Sequence, residues 1–197
     1  MQAATDIAFK EWAIVADALG SGEQILILRK GGIHEAGGEF RVDHNQFWLL
    51  PTQFHEAEAA VISAKHPRLR ELTNTGTHDQ VRIEYFGVVD RVLRLGHVDQ
   101  IDRLTGTHIW TQTILRERFA FGREPGLYAL LMRVYRHPMP VTIRWRESYG
   151  GCKSWIQLDA PVAATNLIPV LPESEFNQQR DQLVARLATP PNHLKPL

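Results

Sequence analysis

Two long runs with strand-like character, Val81 to Leu95 and Leu127 to Tyr135, constrain this chain more than any other feature. Successive side chains of a strand point to opposite faces, so such runs build sheet and need partners on both flanks. Gly87 breaks the first run and marks an expected bulge. Pro138 and Pro140 are expected to end the second, with Val141 to Trp145 resuming an extended course. Gln24 to Leu28, Glu39 to Val42, Gln46 to Leu50 and Trp155 to Leu158 read as shorter strands, and Pro51 is expected to stop the third of these. From Ile7 to Leu19 the residues Phe9, Trp12, Ala13, Ala16 and Leu19 fall at helical spacing, with Asp6 as cap and Gly20 as stop. Further helices are expected over Glu56 to Thr73 (interrupted near His66-Pro67), Val98 to Leu104, Thr111 to Phe119 and Glu173 to Leu187. Strands mixed with irregular helical inserts, without βα alternation, specify an α+β domain with a mostly antiparallel, strongly curved sheet.

The bulk numbers close off several classes. Hydrophobic residues make up 44% and charged residues 22% of the 197, enough for a real core in one domain. Residues 1–160 are expected to form that domain, with 161–197 a linker and C-terminal helix packed on it. Twenty-two basic and 22 acidic side chains cancel, which excludes a strongly basic chain but not a local basic face. No apolar run is long enough to span a bilayer, and no signal-peptide pattern opens the sequence. Cys152 is the one cysteine, so there is no internal disulfide and no paired-cysteine zinc site. A cytoplasmic location is the expectation.

Five segments in order, K-E-W-A at Lys10 to Ala13, L-R-K-G-G-I at Leu28 to Ile33, F-W-L-L-P-T-Q-F-H at Phe47 to His55, H-I-W-T at His108 to Thr111 and Y-G-G-C-K-S-W at Tyr149 to Trp155, resemble a bacterial family common in cyanobacteria, domain of unknown function 1802. The resemblance covers roughly Ala8 to Asp159. It implies little about activity, and an association with restriction-type nuclease domains points towards nucleic acid. A more distant likeness is to the ASCH branch of the PUA-like barrels. Leu127 to Val141 followed by Ser154 to Leu158 fits the closing section of that fold. Of its opening G-x-K-x-x-E-x-R only Gly22 and Arg29 fit, while Gln24 and Ile27 stand where lysine and glutamate would be. The likeness implies a curved PUA-like β-barrel with peripheral helices, and argues against lysine-dependent amidohydrolase chemistry.

The densest polar stretch is Gln24 to His55, where Arg29, Lys30, Glu35, Glu39, Arg41, His44 and His55 surround two Gly-Gly pairs. If those glycines fold the chain back, the side chains converge at one barrel mouth. There Lys30 and Arg41 would hold a phosphate, and His44 or His55 would pass a proton near neutral pH; solvated strand ends are the alternative. Glu39-Phe40-Arg41 also has the form of a metal-nuclease strand, with Glu11, Glu35 or Glu84 as a further carboxylate for Mg²⁺. No cofactor is expected outside that case, and the scattered histidines give no resident metal site. Cys152, preceded by Gly150-Gly151 and followed by Lys153, reads as a small buried residue or an activated thiol. Arg116, Arg118, Arg123, Arg133, Arg136, Arg144 and Arg146 interleave with Tyr128, Tyr135 and Trp145, a composition suited to single-stranded nucleic acid unless the arginines pair with nearby glutamates. Trp12, Trp48, Trp110 and Trp155 read as core anchors.

The sequence therefore specifies a nucleic-acid-associated module binding RNA or DNA, a modified or flipped base included, through Lys30, Arg41, Arg133, Tyr135, Trp145 and Lys153. The alternatives are a metal-dependent phosphodiesterase using Glu35, Glu39, His44 and His55, and a protein-binding adaptor.

Overall fold

The computed structural model describes residues 3–30, 42–53, 58–73, 79–151 and 153–188. Among them are seven strands: β1 (Ala4–Trp12), β2 (Leu26–Arg29), β3 (Gln46–Thr52), β4 (Gln80–Leu95), β5 (Leu127–Arg144), β6 (Trp155–Ala163) and β7 (Ile168–Pro169). The helices are α1 (Ala13–Gly20), α2 (His66–Thr73), α3 (Asp99–Arg103), α4 (Gln112–Ala120) and α5 (Glu173–Ala188). The sheet runs β2-β5-β4-β3-β1-β6, with β7 added to β5. β1 and β3 are parallel and the other pairs antiparallel. This is the curved, mostly antiparallel α+β architecture that the sequence specifies. Among the described residues no ladder joins β2 to β6, so the sheet is open. It nevertheless curls: Arg29 at the end of β2 donates from Nη2 to the Lys10 carbonyl of β1, four strands away in the order. No helix among the described residues is long and apolar enough to cross a membrane.

Two apolar clusters hold this sheet, one on each side of its central strands. β3 shows why. Phe47 and Leu49 enter the larger cluster, while Trp48 and Leu50 enter the smaller one. Period-two alternation in a strand covered on both faces produces a continuous apolar run, which is what F-W-L-L is. The long strands serve both clusters. β4 begins in the smaller cluster with Val81, Ile83 and Phe86 and ends in the larger with Leu95; β5 runs the opposite way. α5 closes the larger cluster with Phe176, Leu183 and Leu187.

Several local expectations are corrected. Ile7 to Trp12 is strand, not helix: Ala8 and Phe9 are fully buried between β3 and β6, and helix begins only at Ala13. The helical spacing of Phe9 and Trp12 was overridden by tertiary pairing. Asp6 consequently caps no helix; its carboxylate accepts from Gln157 Nε2 at 3.0 Å. Pro138 and Pro140 do not end β5. The register passes from Tyr85↔Arg136 to Ile83↔Val141, so the prolines sit in a bulge where no ladder N–H is required. Gly87 is not at a bulge; the irregularities fall at Ile83/Tyr85 and Val89/Arg91. A Cβ on Gly87 would lie 2.3 Å from Met132 Cε, so close packing is what glycine permits there. Pro51 does not stop β3, which continues to Thr52.

Candidate functional site

Pro51 marks where a wedge opens in the sheet. β3 pairs with β4 only at Gln46↔Val88, Phe47↔Gly87 and Trp48↔Phe86. Beyond Trp48 it stays on β1, up to Trp12↔Thr52, while β4 back to Gln80 stays on β5. The two strands splay, and a proline is tolerated on the unpaired flank because no ladder bond is lost. α1 and α2 close over the gap to leave a cleft of about 470 Å³, within the range of small-ligand sites. Its walls include Tyr85, Trp145, Leu49 and Leu72. Its polar lining includes Gln53, Gln80, Thr52 and Thr142.

The Tyr85 wall is fixed by packing. A Cβ added to Gly20, the last residue of α1, would lie 2.1 Å from Tyr85 Cζ, so only glycine lets the ring seat there. On its other side the Tyr85 hydroxyl accepts from Arg136 Nη2 at 3.4 Å. Trp145 ends the pairing of β5, its N–H donating to the Asp79 carbonyl, and meets Tyr149 edge-on at 5.9 Å.

The charges of the cleft come in pairs. Arg68 grips Asp17 with a fork, Nη2 to Oδ1 at 2.6 Å and Nε to Oδ2 at 3.1 Å, and reaches Glu71 at 2.7 Å. These hydrogen bonds, Asp17's first, hold the Arg68 guanidinium above even its ordinary pKa. Arg82 pairs with Glu84 at 3.0 Å, and Arg136 approaches the other oxygen of Glu84 at 3.4 Å. The lining thus balances two guanidiniums, Arg68 and Arg82, against two carboxylates, Asp17 and Glu84.

A second polar cluster lies where β1, β2 and α4 meet. Glu11 is 4% exposed; Oε1 accepts from its neighbour's amide, Trp12 N–H, at 2.9 Å and Oε2 pairs with Arg29 Nη2 at 3.1 Å. Arg29 lies over the Phe9 ring at 4.6 Å. Arg118 of α4 lies over Trp110 at 4.0 Å, and Trp110 meets Trp12 edge-on at 4.9 Å. Burial, and secondarily the charge of Arg29, pushes the Arg118 pKa down against the attraction of Glu11.

Among the residues selected from sequence, Glu35, Glu39, Arg41, His55 and Cys152 lie outside the described residues. Lys30 donates to the carbonyls of Phe119 at 3.1 Å and Glu124 at 2.6 Å, serving the C-terminus of α4. Burial, first, and the charge of Arg94 lower its pKa. His44 packs edge-on against Trp155 at 5.1 Å. Lys153 is exposed just ahead of β6. Arg133 lies over Tyr135 at 5.8 Å but also over Phe176 at 5.4 Å, so α5 covers it. Of this set Trp145 and Glu84, the latter named only as a further carboxylate for Mg²⁺, line the cleft. The arginine series is dispersed: Arg116 pairs with Asp102, Arg136 with Glu84 and Arg146 with Asp159. The Gly-Gly loop presents carbonyls, with Tyr149 and Gly151 accepting from Lys10 Nζ. Among the described residues no group of three or more His, Cys, Asp or Glu is placed to hold a metal ion. Sequence reading missed Tyr85, Asp17, Arg68 and Gln53 as site residues; a proline inside an apolar strand was the signal that the sheet opens there.

The model of the family described as "Domain of unknown function (DUF1802)" matches residues 8–182. No curated protein matches the chain. Among solved structures the chain is similar to the ASCH protein of Zymomonas mobilis, at 13% identity and a TM-score of 0.45, covering 91% of this chain and 93% of that one. A tyrosine-to-phenylalanine mutant of the same protein gives 12% identity and a TM-score of 0.45, with 89% and 96% covered. A serine-to-alanine mutant gives 13% and 0.40, with 93% and 99% covered.

Proposed function

Since this chain belongs to the domain of unknown function 1802 family, whose name carries no activity, we propose its function from its own geometry: it is a nucleic-acid-binding module that holds one unstacked base in the wedge between β3 and β4. The single observation that carries this reading is the pairing of aromatic walls with a neutral polar lining. A base out of its stack needs a flat apolar surface on its faces and donors and acceptors at its edge. Tyr85 and Trp145 supply the first, and Gln53, Gln80, Asp17 and Glu84 the second. The balanced charges favour a base over a phosphate, because an anion in this lining would meet two carboxylates for its two guanidiniums. Among the described residues the β4-facing flank of β3 beyond Trp48 carries no ladder pairing, so backbone groups are also at hand.

The test is fluorescence anisotropy with labelled single-stranded RNA and DNA at low salt. The wild-type protein binds at least one of them. Trp145→Ala weakens binding about tenfold, in line with about 1–3 kcal/mol for one base–aromatic stack. No binding at low salt, or unchanged affinity in the variant, overturns the reading. The phosphodiesterase alternative rests on Glu35, Glu39 and Arg41, outside the described residues; the same RNA and DNA incubated with Mg²⁺ reports on it by cleavage.

A further inference from the structure

We infer that Arg29, paired with the buried carboxylate of Glu11, and Arg118, stacked on Trp110 where β1, β2 and α4 meet, form an anion site of phosphate size, separate from the base wedge. Arg29 has an ion-pair partner in Glu11, but among the described residues Arg118 has none; its plane is occupied by Trp110. A guanidinium stacked on an indole keeps its edge N–H groups available, and that edge is the fork that fits a phosphate oxygen pair. A second observation points the same way: the Nε of Arg29 is buried and, among the described residues, has no hydrogen-bond partner. Buried donors are normally satisfied, so an unpaired one beside a half-buried, unpaired cation marks a place where an acceptor belongs. Among the described residues one surplus positive charge lies by the rings of Phe9, Trp12 and Trp110, costly when empty and relieved by an anion. Glu11 does not repel the ligand outright, because both its oxygens are already engaged by Arg29 and the Trp12 amide.

Inorganic phosphate is the probe, since it carries no base and its result is independent of the wedge. Thermal melts and titration calorimetry are run on the whole chain at fixed ionic strength, with chloride as the reference. Phosphate raises the wild-type Tm with the logarithm of its concentration once the site fills, as a ligand of the native state does. Arg118→Met, which keeps the apolar stem over Trp110, loses that rise, and calorimetry reads an affinity about tenfold weaker or worse. If this variant fails to fold, Arg118→Lys keeps the charge without the fork and is read by phosphorus NMR line broadening, with a partial loss expected. Equal Tm shifts in wild type and Arg118→Met overturn the inference, because phosphate then acts only as a general stabilising salt. Full phosphate binding in Arg118→Lys overturns the guanidinium geometry in the same way. Given binding, 5′-phosphorylated against 5′-hydroxyl oligonucleotides separates a terminal phosphate from a backbone diester.

Discussion

The wedge and the Arg29–Arg118 cluster are built from the same side chains, arginine, carboxylate and aromatic, yet they differ in two respects. At the wedge each guanidinium has a carboxylate, and the pairs stand partly in water: Arg68 is 42% and Asp17 26% exposed. At the cluster two guanidiniums face one carboxylate that is almost fully covered. The first arrangement is electrically neutral and adjustable, the second charged and locked by burial. Screening by solvent decides how much each pair matters: a paired charge in water contributes little, whereas a buried pair is expensive to break.

Three changes probe that contrast. Glu11→Ala has the largest expected effect, a loss of about 3 kcal/mol in urea unfolding, because it strands Arg29 and Arg118 without a counter-charge. A loss below about 1 kcal/mol would show that the cluster is wetter than its geometry implies.

Acid comes next. His108 precedes Ile109 and Trp110 in the chain and is 7% exposed. Burial pushes its pKa from 6.5 down to about 4. In this window the unfolded chain takes up a proton that the folded chain refuses. Stability is therefore full above about 6.5 and falls as pH drops towards about 4, by about 3 kcal/mol in all. Urea midpoints measured from pH 7 to pH 4 check this, and His108→Phe should flatten that part of the curve. An unchanged slope in the variant assigns the acid loss elsewhere.

The smallest effect belongs to the wedge. Asp17→Ala removes the fork on Arg68 but leaves Glu71 to pair with it, so stability changes by less than about 1 kcal/mol. A loss as large as that of Glu11→Ala would erase the distinction between the two regions.

Much of the fold was legible from particular residues. The runs 81–95 and 127–135 are strands, α3 falls within the Val98 to Leu104 stretch expected to be helical, and α5 covers Glu173 to Leu187. Periodicity and backbone chemistry are local properties, so they survive in a linear reading. What misled was local pattern at sites of non-local pairing. Phe9 and Trp12 mimic a helix face, and Pro138 and Pro140 mimic a strand end that a bulge absorbs. The candidate site was legible only in fragments. Trp145 was singled out and lines the wedge; Glu11, Arg29 and Arg118 were each noticed, but for separate reasons and never together.

The amino-acid sequence by itself determined most of the element types, β1 excepted, and the balance of charge. Tertiary structure alone decided which charges are neighbours and which are dry. Splaying of β3 from β4, and curling of the sheet until β2 reaches β1, join residues distant in the chain, Arg29 with Glu11 and Asp17 with Arg68. Electrostatic interaction depends on distance and on the water excluded between charges, and neither is a property of position along a chain.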